Sequence, residues 1–97
     1  MKLLRVVRME FKEEFISDFE KIYQESSPLI KRFPGCSHVE MCKDPHNHNV
    51  RFTFSHWESE VALNFYRESK LFIGTWARTK VLFADKPRVY SLISTED

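Results

Sequence analysis

Apolar and polar positions along the chain alternate in two rhythms, period two and period 3.6. Together they predict a βα, β-hairpin, α, β order. Residues 3–11 read as the first strand: Arg5, Val7, Met9 and Phe11 alternate with Leu4, Val6, Arg8 and Glu10, so both faces carry apolar side chains. Residues 12–32 read as a helix with a buried stripe of Phe15, Phe19, Ile22, Tyr23, Ser26, Ile30 and Phe33. Pro28 lies inside it and is expected to kink or end the regular part near Ser26 and Ser27. Phe33-Pro34-Gly35 then turns the chain.

Residues 36–43 form a predicted second strand, with Val39 and Met41 on one face and Cys36, His38, Glu40 and Cys42 on the other. The polar run Asp44-Pro45-His46-Asn47-His48-Asn49 reads as a hairpin loop, and residues 50–56 as the third strand. Residues 55–80 are helical. Ser55 with Glu58 matches a capping box, and Ser59 is an equally good N-cap. Ala62, Leu63 and Tyr66 share one face, while Phe72, Trp76, Thr79 and Phe83 form a second stripe. Ser69 or Gly74 marks the break between two short helices. Asp85-Lys86-Pro87 interrupts the pattern, residues 88–93 are the last strand, and 94–97 a polar tail.

Right-handed crossovers leave one compact solution for this order. It is an α+β, ferredoxin-like βαββαβ fold: a four-stranded antiparallel sheet with helices on one face. Strands apolar on both faces require cover on both, so a partner subunit is expected on the uncovered side.

Composition narrows the function. A 97-residue chain implies a single domain over residues 1–97. Its net charge of +1, with no run of either sign, argues against a nucleic-acid surface. Charges interrupt the N-terminal stretch from Met1 to Arg8 before a signal-peptide core builds up, and no apolar run is long enough for a membrane. The two cysteines are then expected as reduced thiols, and the protein as cytoplasmic.

Two clusters carry candidate chemistry. The first is the aromatic set Trp57, Tyr66, Phe72 and Trp76, with His56 at the strand end. These side chains serve as core, or else they present a phenol, two indole N–H groups and an imidazole to a flat aromatic ligand. The second is Cys36, His38, Cys42, His46 and His48. Its spacing matches no standard zinc pattern, and Cys36 and Cys42 would lie about 20 Å apart on a strand. No metal is expected, although a site built on His38, His46 and His48 is a third reading.

The segment also resembles a known family. The residues are Ser55-His56-Trp57, Glu58-Ser59-Glu60, Ala62-Leu63, Tyr66-Arg67, Ser69, Phe72, Trp76 and Lys80, together with Phe33-Pro34-Gly35-Cys36. This pattern is similar to the antibiotic biosynthesis monooxygenases, small ferredoxin-like proteins that pair into a dimeric α+β barrel. The resemblance implies a homodimer and a cofactor-independent monooxygenase that needs neither metal nor flavin. In the implied reaction an electron-rich phenol is deprotonated and its anion meets dioxygen directly.

His56 would be the base, with Tyr66 and Trp76 orienting substrate. Trp57 and Phe72 would line the pocket, and Arg67 and Lys80 its mouth or the dimer contact. The substrate would be a small aromatic or quinol-like molecule. The haem-degrading branch holds iron with a histidine where this chain has Trp76, and keeps an asparagine on a first strand that has none here. The alternative is a non-enzymatic small-molecule-binding or dimerisation module of the same fold.

Overall fold

The computed structural model describes residues 2–96. Four strands, β1 (Leu3–Glu10), β2 (Cys36–Lys43), β3 (Val50–Trp57) and β4 (Arg88–Ile93), form one sheet in the order β2-β3-β1-β4. Every neighbouring pair is antiparallel. Three helices, α1 (Ile16–Lys31), α2 (Glu60–Arg67) and α3 (Lys70–Lys80), complete the ferredoxin-like α+β fold. A 3₁₀ turn at Glu13–Phe15 precedes α1.

The alternation in β1 decides which face the helices cover. Leu3, Arg5, Val7 and Met9 are buried, and the residues between them are half-buried. The register carries this face across the sheet, placing Arg51, Thr53, Ser55 and Trp57 of β3 beside them. The opposite face presents Leu4, Val6, Phe52, Phe54 and His56, with exposed Tyr90 and Leu92 at the β4 edge. One end of the helix–sheet interface is closed by Phe11 stacked on Phe19 at 4.3 Å. The other end is built on Leu3, Trp57, Leu63 and Tyr66.

Both short helices start where a serine can cap them. The Ser59 hydroxyl accepts from the Ala62 N–H at 3.1 Å, so Ser59, and not Ser55, begins α2. Ser69 accepts from Phe72 N–H at 3.1 Å and starts α3. The interhelical break therefore falls at Ser69, and Gly74 lies inside α3.

Gly35 meets two demands at once. Its φ is +87°, and a Cβ there would lie 2.5 Å from the Ala62 Cβ. Its carbonyl accepts from the Glu58 N–H at 2.8 Å, which ties the entry of β2 to the entry of α2.

Three expectations need correction. Helix α1 continues through Pro28 to Lys31. A proline so near the C-terminus removes one intrahelical bond and leaves only three helical residues beyond it. The first strand ends at Glu10, and Phe11 instead makes an isolated bridge to Phe83. Finally, Cys36 does not share a face with His38 and Cys42. A register irregularity between Cys36 and His38 pairs Cys36 with Trp57 on the helix side, because an extra residue in a strand resets its alternation.

Candidate active site

A partly open cavity of about 90 Å³ lies between the sheet and the helices. Its floor is Arg5, Val7 and Met9 of β1 with Val39, Thr53 and Ser55 from the neighbouring strands. Helix α1 supplies Phe19, Ile22, Tyr23, Ser26 and Ile30 as one wall. Tyr66 of α2 and Phe72, Thr75, Trp76 and Thr79 of α3 supply the other. The lining is mainly apolar, and its polar side chains carry hydroxyls, the Trp76 indole N–H and one guanidinium.

Three of the sequence-predicted residues meet here. Phe72 and Trp76, one helical turn apart, present nearly parallel rings at 6.1 Å and an interplanar angle of 7°. Tyr66 packs edge-on to Phe72 at 5.2 Å. Burial pushes the Tyr66 phenol up to about 12, although the nearby Arg5 charge opposes the shift. Tyr66 is therefore a neutral hydrogen-bond donor near pH 7 and no base.

The other four predicted residues lie elsewhere. Trp57 is fully buried behind Tyr66, stacked on it at 4.8 Å. Its indole N–H donates to the Ser55 Oγ at 2.9 Å, so its polar group is satisfied within the core. Trp57 is a supporting residue and not part of the lining. Arg67 and Lys80 are exposed in the last turns of α2 and α3 and do not line the cavity.

His56 is on the opposite face of the sheet, paired with Leu4 across β1. Strand alternation forces this: Ser55 and Trp57 point to the helices, so the residue between them points away. Burial, then the neighbouring His38 and Lys2 charges, hold its imidazole below the usual histidine value. Its ring packs edge-on to His38 at 5.0 Å.

The cysteine–histidine cluster is also dispersed. His38 Nε2 lies 3.0 Å from the Glu40 Oε1, and this contact holds the Glu40 carboxyl below its ordinary value. His46 and His48 are exposed in the β2–β3 loop, where Asp44 Oδ1 accepts the His46 and Asn47 N–H groups at 2.8 and 2.9 Å. Among the described residues, no three His, Cys, Asp or Glu side chains converge as a metal would require. None of the described helices is long and apolar enough to cross a membrane.

The residue that pattern reading passed over is Arg5. A guanidinium on an otherwise apolar strand face, between Leu3 and Val7, was the visible signal. Arg5 is only 8% exposed, lines the cavity, and lies 5.6 Å over the Phe72 ring.

Comparison with known proteins fits this architecture. No curated protein sequence matches the chain. Solved structures do match throughout. Rv0793 of Mycobacterium tuberculosis superposes with a TM-score of 0.92 at 14% identity, over 100% of this chain and 98% of its own. A provisionally assigned antibiotic biosynthesis monooxygenase of Caulobacter crescentus CB15 gives 0.92 at 19% identity, over 98% and 91%. A variant of SnoaB, a cofactor-independent oxygenase of Streptomyces nogalater, gives 0.87 at 12% identity, over 99% and 95%. At such identities these likenesses speak for the fold. The sequence model of one family, described as antibiotic biosynthesis monooxygenase, matches residues 3–76, which span β1 to the middle of α3. This chain belongs to the antibiotic biosynthesis monooxygenase family.

Proposed function

We propose that the protein is a cofactor-independent monooxygenase acting on a small aromatic or quinol-like molecule in the cavity between sheet and helices. The observation that carries this reading is the meeting of Tyr66, Phe72 and Trp76 around a space beside Arg5. Family membership supports it. A cavity of about 90 Å³ is small beside the roughly 300–1,000 Å³ of sites for drug-sized ligands, which favours one ring over a polycyclic anthrone.

The chemistry follows from what lines the cavity. Among the described residues its lining has no carboxylate and no imidazole, so proton removal does not rely on a buried base there. The guanidinium instead stabilises the substrate's anion, which lowers the cost of its ionisation in water-poor surroundings. The anion's carbon transfers its electrons to dioxygen and forms a C–O bond, and protonation gives a hydroperoxide. When that carbon bears a second hydrogen, its loss as a proton expels water as the O–O bond breaks. One oxygen atom ends in a C=O group and the other in water. Tyr66 donates to the developing oxyanion, and Phe72 and Trp76 orient the ring.

A second reading has an observation in its favour. The same lack of a base suits a binding module that holds a small aromatic molecule without turning it over.

In either reading the protein is a cytoplasmic homodimer of a single domain, closed into a barrel through the outer sheet face. Leu4, Val6, Phe52, Phe54 and Leu92 support this pairing. A monomer mass by light scattering at micromolar concentration would remove the dimer.

Oxygen uptake with single-ring quinols tests the function. It should require enzyme and no added cofactor, fall at least tenfold in Tyr66→Phe and Trp76→Ala, and persist in His56→Ala. Ligand binding without oxygen uptake would favour the binding module. Loss of uptake in His56→Ala with Tyr66→Phe unaffected would move the chemistry to the outer face.

A further inference from the structure

Burying a guanidinium costs several kcal/mol unless a counter-charge or hydrogen bonds compensate it. Among the described residues Arg5 has neither an ion pair nor a side-chain hydrogen bond; the ion pairs use Arg8, His38 and Arg51. Its aromatic contact with Phe72 satisfies none of its five N–H donors. The nearby positive charge of Arg67 adds to the cost rather than relieving it. No described polar side-chain atom that is closed off lacks a partner. The unpartnered donors of Arg5 therefore face open space, and the space beside Arg5 is the cavity.

A planar fork of N–H donors is the complement of a carboxylate, which it binds through two parallel hydrogen bonds. The apolar walls next to it suit an aromatic ring, and the volume suits one ring. We propose that the cavity selects a single-ring aromatic carboxylate, its carboxylate paired with the Arg5 guanidinium and its ring against Phe72 and Trp76. For the oxygenase this names the substrate class as a hydroxylated benzoate: the carboxylate is the handle and the ring hydroxyls supply the electrons. The Arg5 guanidinium is then shared between the carboxylate and the phenolate that forms on the adjacent ring carbon. The proposal rests on the reading of this cavity as the ligand site.

Binding alone tests it, by titration calorimetry of 2,5-dihydroxybenzoate against the neutral 2,5-dihydroxybenzamide of almost the same shape. On wild-type protein the carboxylate should bind at least tenfold more tightly. Arg5→Met should abolish that preference by weakening the carboxylate and leaving the amide unchanged, and Arg5→Lys should retain part of it. The wild-type comparison stands whether or not the variants fold. Equal affinity for the two compounds, or a preference that survives in folded Arg5→Met, overturns the proposal and leaves the cavity reading intact. Binding of neither compound to folded wild-type protein overturns both.

Discussion

Arg51 and Arg5 lie on adjacent strands, on the same helix-covered face, and both are buried. Their surroundings differ completely. Arg51 Nη1 donates to the His48 and Val50 carbonyls at 2.7 and 3.1 Å, and Nη2 lies 3.6 Å from the Glu20 carboxylate. Arg5 has an aromatic ring, a nearby arginine and a cavity. The first arrangement is structural: the charge fastens the β2–β3 loop and α1 to the sheet. Among the described residues nothing compensates the second charge, which is the ground for proposing a ligand beside it. A compensated buried charge explains itself, whereas an uncompensated one points to a ligand.

The same contrast holds for the aromatic residues. Phe11 is fully buried, stacked on Phe19 and tilted against Phe83, so its end of the interface is filled. Trp76 is half-buried and has the cavity on one side. Phe11→Ala should therefore cost about 3–5 kcal/mol, lowering Tm by more than 10 °C in a thermal melt. A small loss would show that the closed end is not closed.

Tyr66 sharpens the comparison at high pH. Its phenol titrates near 10 in the unfolded chain and near 12 when folded. A raised pKa contributes stability that is fully present below pH 10 and lost as pH rises toward 12. Wild-type protein should lose about 2–3 kcal/mol across that window that Tyr66→Phe retains. Part of the loss should persist, because burial also raises the Tyr23 phenol. Denaturant midpoints at pH 9 and 12 would check this, and identical shifts in the two proteins would refute it.

Arg51→Met should cost about 1–3 kcal/mol, because two carbonyls lose their donor. Arg5→Met, similar in length, should change stability by less than about 1 kcal/mol, or increase it, because it removes a buried charge without orphaning a partner. Urea midpoints of the two variants measured side by side test the comparison itself. A larger loss from Arg5→Met than from Arg51→Met would mean that Arg5 has a structural partner.

Much of this was legible in the chain. The period-two run of β1 and the helical stripes give the element order. The starts of α2 and α3 are narrowed to Ser55 or Ser59 and to Ser69 or Gly74, between which the capping hydrogen bonds decide. The candidate site was legible only in part. Phe72 and Trp76 share a face as their helical spacing suggests, since spacing along one helix is a local property, whereas Tyr66 reaches them from α2 only through the packing of the two helices. His56 and Trp57 are near them in sequence only: strand alternation turns His56 to the opposite face, and Trp57, on the helix side, is buried behind Tyr66. The face of Cys36 is not legible in the chain, because a strand irregularity leaves no mark in residue type.

The sequence by itself determined the elements, their order and the apolar face of each, because these follow from periodicity, capping and turn chemistry within a few residues. Tertiary structure alone decided which part of the interface was filled and which was left open. It also decided which arginine found its counter-charge. Glu20 reaches Arg51 from α1, and among the described residues nothing comparable reaches Arg5. Whether a buried charge is compensated depends on side chains distant in sequence that only packing brings together.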